Sequence, residues 1–313
     1  MLSNLLLFLL SAFFLALGGI YLVKSLGKIS HFLRISEFTA AFIIMAVATS
    51  IPELFVGLSS AIQGSSSLSL GNIIGANIID LTLIMGIFVL LGKGIKLESR
   101  EAGKDAHLMS FSIALIMILY LIGNSLSRID GIILLSFFMI NTIRMLRKRK
   151  KYRAKLKQNS VKRHEIVLNS FIFIFALFVL FISASFAVKY ASLLALELNL
   201  PKIIIGLFLI SFATTLPELI FGIESVIMKH ESMSIGNQTG TVFTNITLIL
   251  GLVALISPIK VELSPFLVSV VFMFISALIF TYFMKTGKKL DVKEGIFLIL
   301  LYVAFIIFEI FIQ

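Results

Sequence analysis

Apolar stretches of about 20 residues recur along the chain from end to end, parted by short polar or charged segments. A helix needs roughly 20 apolar residues to cross the hydrocarbon core of a bilayer. The pattern predicts ten such spans, at 3–23, 38–62, 67–92, 107–124, 129–147, 166–189, 201–228, 232–257, 264–284 and 293–312. Two pairs of spans break the apolar pattern in the same way. Residues 46–86 and 211–251 align without a gap at a constant offset of 165, and 17 of 41 positions are identical. The shared positions include Ala48/Ala213, Thr49/Thr214, Pro52/Pro217, Glu53/Glu218, Gly71/Gly236, Asn72/Asn237 and Gly75/Gly240. Each copy places a glutamate, a proline and several hydroxyls inside a hydrophobic run, where such groups are costly and mark function.

The spans divide evenly about a basic stretch. The reading is an all-α polytopic membrane protein of ten transmembrane helices, built as two inverted five-helix repeats. Residues 1–147 form the first repeat, 148–165 a basic cytoplasmic linker, and 166–313 the second repeat. Five spans per half is an odd number, so the second half must enter the membrane from the opposite side.

Charge supports this topology. With both termini outside, the inner loops carry 23 of the 27 Lys and Arg residues and the outer loops carry 4. This is the positive-inside bias of a multi-pass protein of the cell membrane. The net charge of +11 is therefore read as topology and lipid contact, with no nucleic-acid partner. Hydrophobic residues make up 59% of the chain, and the mean hydropathy is +1.08. The first apolar run lacks a basic leader and a small-residue cleavage site, so it reads as a first span.

Composition also removes chemistries. There is no cysteine, and the four histidines fall in loops or at span ends without clustering. No phosphate-binding loop and no hydrolase arrangement occurs, so the chain is not read as an enzyme and no cofactor is expected.

What remains is oxygen. Proline lacks an N–H and displaces the carbonyl one turn back, so Pro52 and Pro217 should free the carbonyls of Ala48 and Ala213. A helix broken inside lipid must line a cavity or re-satisfy its backbone. The freed carbonyls come with Thr49, Ser50 and Glu53 in one copy and Thr214, Thr215 and Glu218 in the other. Carbonyl, hydroxyl and carboxylate oxygens on one helix face suit a hard cation such as Ca²⁺ or Na⁺. A plain kink with a snorkelling glutamate is opposed by the depth of both glutamates and by their duplication. The next helix of each copy carries a G-x-x-x-G pattern, which brings helices close. It would carry Asp80 and Asn245, which are equivalent positions, towards the two glutamates. No Lys or Arg is expected to be buried in these spans, Lys202 standing at the outer end of one, so the three carboxylates either bind a cation or are protonated. Asn72 and Asn237 either bond the broken backbone or bind an ion. Asn77 reads as a helix contact, Glu224 as a vestibule residue and Glu309 as interfacial.

The paired A-T-[ST]-x-P-E and G-N-x-x-G-x-x-x-x-[DN] motifs, on spans 2–3 and 7–8, resemble the two alpha-repeats of the cation/calcium exchanger superfamily. The sodium/calcium exchanger branch is the most similar. The resemblance implies a diamond of Glu53, Asp80, Glu218 and Asn245 that holds one Ca²⁺ or several Na⁺. It implies flanking Na⁺ ligands at Thr49, Ser50, Thr214, Thr215 and Thr241, and spans 1 and 6 that slide against the core. Three departures stand out. The Asp and Asn corners are exchanged between repeats, Ala76 replaces the usual serine after the glycine, and Ala48 and Ala213 replace the glycine before threonine. The signature of proton/calcium exchangers is absent.

The resulting expectation is a secondary antiporter that exchanges Ca²⁺ for Na⁺ by alternating access and extrudes Ca²⁺. Both ions would bind as substrates to a monomer in contact with membrane lipid. Proton-coupled exchange of Ca²⁺, Mg²⁺ or Mn²⁺ is the alternative within the class, and a cation channel the alternative outside it.

Overall fold

The computed structural model describes residues 2–62, 64, 66–96, 100–147, 163–197, 211–260, 263–286 and 289–312. The linker 148–162 and the expected start of span 7, 201–210, lie outside the described residues, as do the side chains of Ala213 and Glu309. The described chain is almost wholly helical. Seven helices among the described residues are long and apolar enough to cross a membrane, or eight if one bent pair counts as a single span.

Helix α1 is Leu2–Leu33. The bent pair follows as α2, Glu37–Thr49, and α3, Ile51–Ile62, and the first eight or nine residues of α3 turn by 41° from α2. Helix α4 is Ser66–Ile79, and it runs through a π-helical turn, Asp80–Ile84, into α5, Met85–Leu91. Strand β1 is Ile95–Lys96, followed by α6, Arg100–Gly123, and α7, Arg128–Arg147. Helix α8 is Arg163–Glu197 and α9 is Ser211–Ile227. Helix α10, Glu231–Thr244, passes through a second π-helical turn, Asn245–Ile249, into α11, Leu250–Ile256. Helix α12 is Leu263–Thr286, β2 is Lys289–Leu290 and α13 is Val292–Ile312.

Burial sorts these helices. The windows of Ser69–Leu91 and Glu231–Ile256 are 78% buried, against 22% for those of Arg128–Arg147 and Glu165–Ser183. The motif-bearing helices are thus the centre, and the purely apolar ones turn Leu, Ile and Phe side chains outward. That inside-out distribution is stable in hydrocarbon, where an outward Leu costs nothing.

The packing repeats itself at the same offset as the sequence. Gly86 lies against Gly295 and Ile299 of α13, and Gly251, which is 165 residues later, lies against Gly131 and Leu135 of α7. Ile95 pairs with Leu290 in the β1–β2 ladder, and Leu126 pairs with Ile259 in an isolated bridge. Each of these pairings joins a loop of one half to a loop of the other. The π-helical turns after α4 and α10 also begin at equivalent residues, Asp80 and Asn245; a further one, Ala41–Met45, lies inside α2.

Helix α1 packs along α8 and also touches α9. Adjacent glycines do this on two sides. A side chain at Gly18 would meet the Ala176 carbonyl and the Leu180 backbone, and one at Gly19 would meet the Ile220 and Glu224 side chains. At the far end of α2, Glu37 holds His230 Nδ1 at 3.0 Å from both carboxylate oxygens.

Candidate functional site

The break between α2 and α3 falls within A-T-S-I-P-E. Helix α2 ends at Thr49, and Ser50 leaves helical geometry with φ −77° and ψ 5°. Helix α3 restarts at Ile51, which puts Pro52 in its first turn, where a missing N–H costs nothing. In the second copy the outcome differs. Helix α9 runs unbroken from Ser211 to Ile227 with Pro217 inside it. The expected pair of breaks is therefore present as a break only in the first copy. A proline spoils one hydrogen bond and bends the axis, but flanking packing can carry a helix past it.

Glu53, Asp80, Glu218 and Asn245 are all buried, none more than 1% exposed. They come from α3, the first π-turn, α9 and the second π-turn. A π-turn inserts one residue and marks functional positions disproportionately, and here two of the three π-turns among the described residues begin at corners of the predicted diamond. The three carboxylates lie close enough to repel one another, Glu53 with Asp80 and Glu218 with both. No basic group offsets this: among the described residues the ion pairs join His230 to Glu37 and Lys289 to Asp291, both outside the site. Isolated buried charge costs several kcal/mol per group.

The hydroxyls cross between copies. Thr214 of the second copy lies beside Glu53 of the first, and Thr49 of the first beside Glu218 of the second, but Thr214 Oγ1 and both Glu218 oxygens make no hydrogen bond. Thr49 Oγ1 also lies 3.5 Å from Asn237 Oδ1 and from Thr241 Oγ1. Its closer contact is with the Met45 carbonyl at 3.1 Å. Ser50 Oγ, both Asp80 oxygens and Asn245 Oδ1 are buried without a hydrogen-bond partner. Thr215 and Asn237 are buried in the same helices, and Ala48 is 8% exposed at the break. Asn72 is half-buried, and its Nδ2 has no partner. Ala213 lies in α9.

The side chains do not by themselves make a metal cage. Among the described residues no three His, Cys, Asp or Glu side chains converge as metal-ligand clusters do. Hydroxyl and amide oxygens of Thr49, Thr241 and Asn237 stand beside the carboxylates. This is the ligand mixture of a hard cation that must also leave.

Two features were not foreseen. Asn77, read as a helix contact, accepts a hydrogen bond from Asn245 Nδ2 at 2.9 Å. Gln238 is fully buried with neither polar atom partnered. Its one sequence signal is that Ile73 stands at the equivalent place in the first copy. Glu224 is half-buried and packs on Gly19 of α1, away from the corners.

Known proteins fit this geometry. The sodium/calcium exchanger MaX1 of Methanosarcina acetivorans is 29% identical over 344 residues, covering 97% of each chain. The inner membrane protein YrbG of Escherichia coli K12 is 28% identical, covering 70% of this chain and 69% of that protein. A solved structure of the sodium-calcium exchanger NCX_Mj superposes with a TM-score of 0.82 at 25% identity, covering 97% of both chains. Residues 3–147 and 168–311 match the family model described as sodium/calcium exchanger protein. With paired copies of the motif, three buried carboxylates and that match across both halves, the chain belongs to the sodium/calcium exchanger family.

Proposed function

We propose that this protein is a secondary antiporter that moves Ca²⁺ outward in exchange for Na⁺ moving inward. The observation that carries the reading is the set of Glu53, Asp80 and Glu218, buried, mutually repelling and without a basic partner. Empty, this set is costly to carry through the membrane. One Ca²⁺ or several Na⁺ neutralise it. Reorientation is therefore tied to an ion load, and competition for the same oxygens couples the two fluxes.

The transporter spans the membrane ten times as two inverted five-helix repeats, with both termini outside and the basic linker inside. The recurrence of glycine contacts, loop pairings and π-turns at offsets of 164 and 165 supports the repeat. The positive-inside count supports the orientation. The ligands are Glu53, Asp80, Glu218 and Asn245, flanked by Thr49, Ser50, Thr214, Thr215 and Thr241 and by the carbonyls of Ala48 and Ala213, with Asn72 and Asn237 beside them. Helix α1 with α8 slides against the core to alternate access. The protein acts as a monomer in lipid.

One observation favours a second reading. Ala76 carries no hydroxyl where Thr241 has one, and this weakens the Na⁺ shell on one side. Proton-coupled exchange of Ca²⁺, Mg²⁺ or Mn²⁺ needs no such shell. Purified protein in vesicles separates the two readings. Uptake of ⁴⁵Ca driven by an outward Na⁺ gradient, and not by K⁺ or H⁺ gradients, is the expected result. Uptake that follows the proton gradient and ignores Na⁺ overturns the choice, and unitary channel currents overturn the class.

A further inference from the structure

We propose that Asn77 is a positioning residue of the ion site, holding the Asn245 amide so that its carbonyl oxygen alone is presented to the cation. This rests on the antiporter reading and deepens it. Asn245 Nδ2 donates to Asn77 Oδ1 at 2.9 Å, and both side chains are fully buried. That bond takes up one end of the amide. The other end, Asn245 Oδ1, is buried without a partner. The Asn77 amide is itself set by its neighbour, because its Nδ2 faces the Met273 sulfur at 3.7 Å. A sulfur is a weak acceptor and no donor, so this contact turns Asn77 Oδ1 towards Asn245.

The need for such a lock follows from the chemistry of an amide. A carboxylate presents an acceptor whichever way it turns. An asparagine presents an acceptor one way and an N–H pair the other, and the N–H pair repels a cation. A neutral corner therefore works only if something fixes its rotation. The two copies agree with this requirement. The asparagine corner, Asn245, has Asn77 as its orienter. The equivalent of Asn77 in the second copy is Val242, which has no polar atom, and the opposite corner is Asp80, which needs no orienter. The polar residue occurs only where the amide must be held.

A double-mutant cycle on the purified full chain tests this, read by calorimetric titration with Ca²⁺. Asn77→Leu removes the acceptor with little change of shape. It is expected to raise the Ca²⁺ dissociation constant by about tenfold, the loss attending one misoriented buried polar ligand. Asn245→Ala is expected to weaken binding to a similar degree. In the Asn245→Ala background the Asn77→Leu change should then have no further effect, because nothing remains to be oriented. A merely structural Asn77 gives the same factor in both backgrounds, and that additivity overturns the inference, as does unchanged binding by Asn77→Leu. If Asn77→Leu does not elute as a folded protein, Asn77→Ala is read through the same cycle. Wild-type protein that titrates with neither Ca²⁺ nor Na⁺ removes the antiporter reading. Wild-type binding with an additive cycle removes only the role of Asn77.

Discussion

The two G-x-x-x-G helices share their motif and differ in what they face. In α10, a side chain at Gly236 would lie 2.5 Å from the Phe38 carbonyl oxygen, and one at Gly240 would press closer still on that of Phe42. Helix α2 is therefore pressed on α10 backbone to backbone, and its π-helical turn Ala41–Met45 falls at this contact. In α4, nothing among the described residues comes within 4 Å of such a side chain at Gly71 or Gly75. Gly71 is exposed, whereas α10 is buried from Met233 to Thr244. In α10 the motif serves a closed contact with α2; the stretch of the second copy equivalent to Phe38–Phe42, 203–207, lies outside the described residues.

The largest effect expected tests whether the halves share one site despite this difference. Glu53→Gln and Glu218→Gln each remove a carboxylate from opposite copies. Each is expected to cut Na⁺-driven ⁴⁵Ca uptake by at least about a hundredfold, because neither copy holds a complete ligand set. Near-normal uptake by either variant would mean that one copy suffices. A smaller effect tests the packing itself. Gly240→Ala places a methyl group against backbone and is expected to destabilise the protein by about 2 kcal/mol, seen as a lower melting temperature in detergent. Gly75→Ala meets nothing among the described residues, and its melting temperature should hold or rise, since alanine favours a helix over glycine. Equal losses would erase the contrast between α4 and α10. The smallest effect concerns Ala76. Ala76→Ser restores a hydroxyl opposite Thr241 and is expected to lower the Na⁺ concentration for half-maximal exchange by about threefold. No change would show that position 76 does not face the ions.

Much of this was legible in the chain because membranes impose blunt rules. Span length, loop charge and buried carboxylates need no fine geometry. Residues as distant as Glu53 and Glu218 were found by their duplication alone, and the structure buries them together. What was missed depends on angles. The approach of Thr49 to Glu218 and of Thr214 to Glu53 needs the relative rotation of three helices, α2, α3 and α9, which no spacing encodes. The π-turns at Asp80 and Asn245 add one residue to a turn and swing a ligand by about 100°, with no proline or glycine to announce them. Asn77 looked like a helix contact, and it is one. Its second role appears only when the facing atom proves to be an amide nitrogen. Pro217 was expected to break its helix as Pro52 does, yet α9 continues through it, because a proline's effect depends on what packs around the bend.

The adjacent glycines of α1 also bear on mechanics. A bar that stays with one neighbour and travels along another needs two unlike surfaces. Gly18 seats α1 on the main chain of α8, a rigid socket that resists slip. Gly19 faces Cγ2 of Ile220 and Cγ of Glu224, with the Ile220 carbonyl oxygen beside them; in the proposed slide of α1 against the core these side chains would have to swivel aside. One residue step along a helix thus separates a weld from a bearing.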